Sequence, residues 1–242
     1  EAVQNLHHTG KARLTVTDLP SPIKRDFENL EAFRDFVLNR PSLFDTEAHN
    51  AFARHLQDNG FTDNVSGAHV PPGELMFAGN NYRETMAYGG FNCRLRGLWQ
   101  VFSDLSSGRR RLDLKIYAPE AVTAFALHMR GMYPKFVGSE YTTDPDTMRV
   151  LYPIPIEDLQ DLTLESDVFD FCIAAEVFEH VPSLDRALAE IGRILAPGGY
   201  LVSTFPFLFF SETGIVRAKL VDGEVVHLTE PEYHGNPIDP SG

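Results

Sequence analysis

Glu176, Glu179 and His180 stand within one short window and carry the densest potential chemistry of the chain. Two carboxylates and an imidazole so close could hold a hard or borderline divalent cation. His180 could instead serve as a general base, its charge set by a carboxylate neighbour. A third reading is a brace for the loop and the helix that follows. Metal ligation would need further ligands, for which His227 and His234 are available, and a bound metal is not the expectation. Glu140 and Asp158 form a second set. An acid at a strand end can accept hydrogen bonds from both ribose hydroxyls of a nucleoside, and Glu140 stands about 20 positions beyond the end of a preceding strand, the distance such an acid keeps. Asp158 could meet an adenine amino group or simply cap a loop.

These residues need elements to position them. Residues 169–175 form an apolar run, a strand ending at Glu176. Ser183 caps an amphipathic helix with Leu184, Ala187, Leu188, Ile191 and Leu195 on its apolar face, and Pro197-Gly198-Gly199 leads into a strand at 200–205. Upstream, strands are predicted at 112–117 and 136–141, with a helix between them that carries Val122, Phe125, Ala126 and Met129. A weaker, proline-interrupted strand is predicted at 150–156, and a hairpin around Asp222-Gly223. Strands alternating with helices imply an α/β fold, a Rossmann-like parallel sheet with flanking helices. Ligands of such a sheet bind outside the carboxyl ends of its strands.

The turn after the first of these strands reads Tyr117-Ala118-Pro119-Glu120-Ala121-Val122-Thr123 and has no glycine. Glycine is the usual means of bringing backbone close to a phosphate or nucleoside, so a dinucleotide dehydrogenase is disfavoured. Tyr117 could stack on a ligand, Glu120 could bind an amino or hydroxyl group, and Thr123 could hydrogen-bond. Before this alternation the chain is helical, with apolar faces at Leu30, Phe33, Phe36 and Val37, at Ala48, Ala51, Phe52 and Leu56, and at Leu95, Leu98, Trp99 and Phe102. Residues 61–91 are predicted as loop. The predicted organisation is a helical N-terminal region over 1–108 and the α/β domain with its C-terminal β-hairpin over 109–242.

A net charge of −13 disfavours nucleic acid, whose binding rests on neutralising phosphates. The basic run Arg109-Arg110-Arg111 is expected to be solvated. Two cysteines, Cys93 and Cys172, allow neither a disulfide framework nor a cysteine zinc site. No apolar run reaches the roughly 20 residues of a membrane span, and no signal peptide is recognisable, so cytoplasm is the expected compartment. The run 205–210 could wall a substrate or meet a partner, with core packing the plainer reading.

The combination of Phe169-Asp170, Glu176-Val177-Phe178-Glu179-His180-Val181 and Leu195-Ala196-Pro197-Gly198-Gly199 resembles the class I S-adenosylmethionine (SAM)-dependent methyltransferases, in their type 11 branch. The resemblance implies SAM as cofactor. It makes Glu140, beside Tyr141, the ribose acid, Asp158 and Leu159 the adenine-side pair, and Glu176 and Val177 the strand end along the methionine moiety. Tyr117, Ala118, Pro119 and Glu120 stand where the family's glycine motif belongs and match it only in position. Some relatives pair Glu-x-x-Glu-His with a downstream histidine to bind metal. Upstream, Asn81, Tyr82, Arg83 and Arg94 resemble a segment that precedes the domain in some relatives. The family's last two strands have no counterpart in 230–242, so the edge of the strand at 200–205 would need cover from the hairpin or a second subunit.

The expected activity is methyl transfer to a small-molecule acceptor, at oxygen, with His180 as base and a homodimer as the assembly. The rival is a non-catalytic methyltransferase-like binding or assembly domain, favoured by the glycine-free turn and the short sheet.

Overall fold

A computed structural model of the chain describes residues 26–77, 81, 83–208, 210–211, 213–222 and 224–231. Two units divide it, one running to Cys93 and taking in a short segment from Leu208, the other comprising Arg94–Phe207 and the chain from Thr213. The division falls earlier than residue 108, because the third helix packs with the sheet.

The first unit holds α1 (Leu30–Leu38), capped by the Asn29 side chain, and α2 (Thr46–Asn59), capped by Asp45. Each acid or amide accepts from a backbone N–H that the first helical turn leaves without a partner. Gly60 ends α2 with φ +73, and a Cβ there would stand 2.2 Å from the Val70 carbonyl oxygen, so only glycine fits. The region predicted as loop contains β1 (Phe61–Thr62) paired antiparallel with β2 (His69–Val70), plus bridges Met76 to Ala87 and Tyr88 to Phe91. Ala53, Leu75 and Met86 are its buried centre.

The second unit takes α3 (Cys93–Leu105) from Arg94 onward; the helix buries Leu98, Trp99 and Phe102. The Phe102 ring meets Phe171 edge-on at 5.0 Å and Tyr133 at 5.4 Å. Then come β3 (Lys115–Ala118), α4 (Ala124–Met132), β4 (Lys135–Gly138), α5 (Pro145–Leu151), β5 (Phe169–Ala175), α6 (Leu184–Ile194) and β6 (Leu195–Thr204). The four strands form one parallel sheet in the order β4-β3-β5-β6. This is the Rossmann-like α/β class. A hairpin, β7 (Ala218–Val221) and β8 (Glu224–His227), follows as a separate antiparallel sheet; its turn residue Gly223 lies outside the described residues.

The strand predicted at 150–156 is not a strand. Its first residues end α5, which Asp144 caps through the Thr147 N–H and Pro145 opens. Only a parallel bridge, Glu140 to Ile156, remains of the expected pairing. Local capping outcompeted the β-propensity of the valine and isoleucines. The hairpin does not extend the β6 edge, since it pairs only with itself among the described residues. Arg109 is not simply solvated: it pairs with Asp170, whose other oxygen accepts from the Lys115 N–H at 2.9 Å. Phe205 and Phe207 stand 45% and 54% exposed, against the core packing expected of that run, and Phe209 lies outside the described residues.

The Pro-Gly-Gly segment has a direct physical reason. Gly198 has φ +80, and a Cβ on Gly199 would lie 2.9 Å from the carbonyl oxygens of both Ala196 and Phe169. The second glycine lets β6 pass close over the start of β5, where the register shifts between Phe169 and Phe171.

Candidate functional site

In this sheet β3 and β4 are joined through α4 on one side, and the chain then crosses to β5 on the other side of β3. The strand order therefore switches between β3 and β5, where an open α/β sheet forms its ligand crevice. Two carboxylates cross the strand ends there. Glu120, in the turn after β3, accepts from the Ala175 N–H at the end of β5 at 3.1 Å. Glu140, just past β4, accepts through Oε1 from the N–H groups of Ala121 and Val122 at 2.7 and 3.0 Å.

A glycine stands opposite the turn. A Cβ on Gly138, at the end of β4, would stand 2.9 Å from the Glu120 carbonyl oxygen and 3.1 Å from the Ala121 Cα. Gly138 thus lets β4 pass close against the turn after β3. Gly138→Ala should cost about 1–3 kcal/mol, the range for overpacking a tight contact. Urea denaturation would read this as a lower midpoint with unchanged slope.

Arg94, the first α3 residue in this unit, enters the same group. Its Nε is 3.9 Å from Glu176 Oε1 and its Nη1 donates to Thr204 Oγ1 at 3.4 Å. Glu176 takes φ +57, a left-handed conformation that costs a non-glycine residue about 1–2 kcal/mol. Its N–H is fixed by the Thr204 carbonyl at 2.8 Å. Strain of this kind, held in place by surrounding structure, is often found at functional sites. Burial, then Glu140 and Glu179, push the Glu120 carboxyl up to about 7, opposed by the Ala175 N–H and by Arg94.

Other predicted site residues land differently. Tyr117 is fully buried, its hydroxyl 2.8 Å from Ser139 Oγ and its ring tilted on Phe169 at 5.6 Å, and burial raises its hydroxyl pKa well above the usual range. Its ring is core, not a stacking platform; β3 is buried on both faces, with Ile116, Tyr117 and Ala118 all interior. Ala118 ends β3, buried, and its carbonyl accepts from the Ser139 N–H at 3.1 Å. Pro119 leads the turn at intermediate exposure, and Thr123 caps α4 through the Ala126 N–H. Tyr141 is 60% exposed beside Glu140. The Asp158 carboxylate caps its own turn, accepting from the Gln160 N–H at 2.8 Å. Leu159 packs in the core, with Val177 against it. Glu179 and His180 are exposed in a single 3-10 turn, Phe178–His180, after β5. Among the described residues no group of three or more histidine, cysteine or carboxylate side chains could hold a metal ion. His227 is in β8, while His234 and Tyr82 lie outside the described residues.

Two acids, the buried Glu157 and the part-exposed Glu190, have structural partners that the sequence does not signal. Glu157 accepts from the Thr163 N–H and hydroxyl at 2.8 and 2.6 Å and holds the loop before β5. Glu190 accepts from the Leu162 N–H and pairs with Arg193, which donates to the carbonyls of Leu162 and Leu164. Arg94, with Tyr82 and Arg83, is expected from the sequence to line the cavity or to play a structural role, but nothing in its local sequence signals an ion pair with Glu176 at the end of β5.

Residues 140–203 match the family described as "Methyltransferase domain", about a quarter of the chain. No curated protein matches the chain. Among solved structures, the trans-methyltransferase CalH in complex with S-adenosylhomocysteine (SAH) is 20% identical, overlapping 37% of this chain and 31% of its own, with TM-score 0.29. A Haloferax volcanii complex of the Trm112 methyltransferase activator with a putative methyltransferase is 21% identical over 42% of this chain and 49% of that one, with TM-score 0.32. A putative sarcosine dimethylglycine methyltransferase from Galdieria sulphuraria is 16% identical over 45% and 46%, with TM-score 0.33. The chain thus spans between about a third and a half of the lengths of these relatives. No described helix is long and apolar enough to cross a membrane. The match over residues 140–203 takes in the motifs at 176–181 and 195–199, and those residues lie in the Rossmann-like α/β unit.

Proposed function

We propose that this protein is a SAM-dependent methyltransferase acting on a small-molecule acceptor, at oxygen, in the cytoplasm. The observation that carries the reading is Glu140: it stands just past β4 inside the segment matched to the methyltransferase domain, and its carboxylate binds the turn after β3. The donor set fits the cofactor. Carboxylates of Glu120, Glu140 and Glu176 outnumber the one guanidinium, Arg94, which suits a ligand with a sulfonium and an ammonium group. The approach at Gly138 also keeps the backbone of the turn tight against β4.

In this reading Glu140 grips the ribose, with Tyr141 beside it. The backbone at Ala118, Pro119 and Glu120 lines the methionine side together with Glu176 and Val177. Asp158 and Leu159 flank the adenine. Bound SAM supplies an electrophilic methyl group. The chain's own work is to hold donor and acceptor in line, where positioning accounts for much of the rate. His180, at the same end of the sheet, takes the proton from the acceptor hydroxyl. No metal is assigned. The two units follow the helical region and the α/β domain in function, and a homodimer covers the β6 edge.

A thermal shift with SAM and with SAH tests this reading. A ligand at 100 times its dissociation constant should stabilise the fold by roughly 2.7 kcal/mol. Absence of any shift at millimolar ligand, with the protein folded, would leave the non-catalytic domain as the reading that stands.

A further inference from the structure

Glu120 occupies an unusual place. It sits in the turn after β3, yet its carboxylate reaches the Ala175 N–H on β5, spanning the point where the strand order switches. It thus stands at the strand ends, where an open α/β sheet forms its ligand crevice. The charged groups acting on it come from every side: Glu140 from the end of β4, Glu179 from the turn after β5, and Arg94 from α3. Glu176 lies next to Ala175 and engages Arg94. Negative charge is in excess, and the Arg94 guanidinium is already drawn to Glu176 and Thr204.

We propose, resting on the SAM reading above, that Glu120 makes this crevice a reader of ligand charge: it favours the sulfonium-bearing cofactor over its neutral thioether product, and it releases a proton when the cation binds. The chemical basis is short. An ionised carboxylate is stabilised by a fixed positive charge nearby and gains nothing from a neutral sulfur. In the free protein the carboxyl is held partly protonated, since burial and Glu140 lift it to about 7. Binding the cation must draw it into the ionised form, with the proton passing to solvent. Binding the product requires no such change. The site would then discharge spent cofactor more readily than fresh cofactor, and the bias would grow with pH.

The test is calorimetric titration of the wild type with SAM and with SAH at pH 6 and pH 8. Buffers of two ionisation enthalpies count protons directly. If Glu120 alone sets the difference, the ratio of SAM to SAH affinity should rise about tenfold between these pH values, since a group titrating near 7 goes from about one-tenth to about nine-tenths ionised. Near pH 7, SAM should release about half a proton more than SAH. The sulfonium lowers the pKa of the cofactor's own ammonium group relative to that in SAH, so the Glu120 contribution is read as the difference between wild type and Glu120→Gln. Glu120→Gln keeps an acceptor for the Ala175 N–H but cannot ionise, so it should remove the tenfold rise and the half-proton difference due to Glu120, leaving only what the ligands' own amino groups contribute. The proton count on the wild type stands even if that variant folds poorly. Binding of both ligands with a pH-independent ratio overturns the charge-reading role and leaves the cofactor site intact. Binding of neither ligand overturns the cofactor site, and this role with it.

Discussion

Glu140→Ala should yield a folded protein that no longer gains stability from SAM and that unfolds more easily than the wild type. The carboxylate does two jobs through one side chain. It accepts from the N–H groups of Ala121 and Val122, fixing the turn after β3, and it is the group assigned to the ribose. A hydrogen bond to a charged group contributes about 1.5–3 kcal/mol, and a partly buried N–H left without its acceptor adds desolvation cost. The two bonds share one oxygen and are not additive, so a loss of about 2–3 kcal/mol in chemical denaturation is expected. Glu140→Gln keeps an acceptor for the turn and should recover much of that stability. It cannot accept equally from two ribose hydroxyls, so it should not recover ligand binding in full. The split between the two variants separates support of the turn from grip on the ligand.

The second large effect concerns pH. The Glu120 carboxyl titrates near 7 in the folded protein and near 4.5 when exposed. Between those values the folded state holds more protons than the unfolded state. Stability therefore falls as pH rises from about 4.5 to about 7, and is flat in this respect outside that window. The full difference is roughly 3 kcal/mol, an upper bound because the group keeps some contact with solvent. Asp144 and Glu190, both shifted downward by their hydrogen-bond partners, act in the opposite sense and at lower pH. Comparison with Glu120→Gln isolates the effect. The two proteins should be equally stable near pH 4.5, and the variant should be the more stable by pH 8. Urea midpoints across that range measure it; parallel curves would show that Glu120 is not held up by burial.

Much of the fold is legible in the residues because local and global signals agree there. The apolar run at 169–175 has no competing pattern and becomes β5 with the same bounds. Ser183 caps α6, and the two glycines at 198 and 199 are demanded by a positive φ and by a close backbone crossing. Where signals conflict, sequence pattern fails. Val150 and Ile154 favour strand, but the Asp144 cap and Pro145 had already started a helix that runs to Leu151. Tyr117 looks like a ligand-facing aromatic at a strand end, and only the packing of Phe169 and Ser139 shows that its ring is interior.

The site is legible in part for a similar reason. Strand-end acids can be found by counting along the chain, so Glu140, Asp158 and Glu176 could be nominated. What they face depends on strand order, which is long-range. Glu120 bridging to Ala175, Arg94 reaching Glu176 and Gly138 admitting the turn each join residues far apart in sequence. None carries a local signature. The turn without glycine is a further case: residues 117–123 alone do not show that Gly138, on the adjacent strand, lets it pack closely there.

The most direct test of a cofactor site at the strand ends is calorimetric titration of SAM into the folded wild type and into Glu140→Ala side by side. Saturable one-to-one binding in the wild type, lost in the variant, is the expected result. Undiminished binding in the variant, or no binding by the wild type, would contradict it.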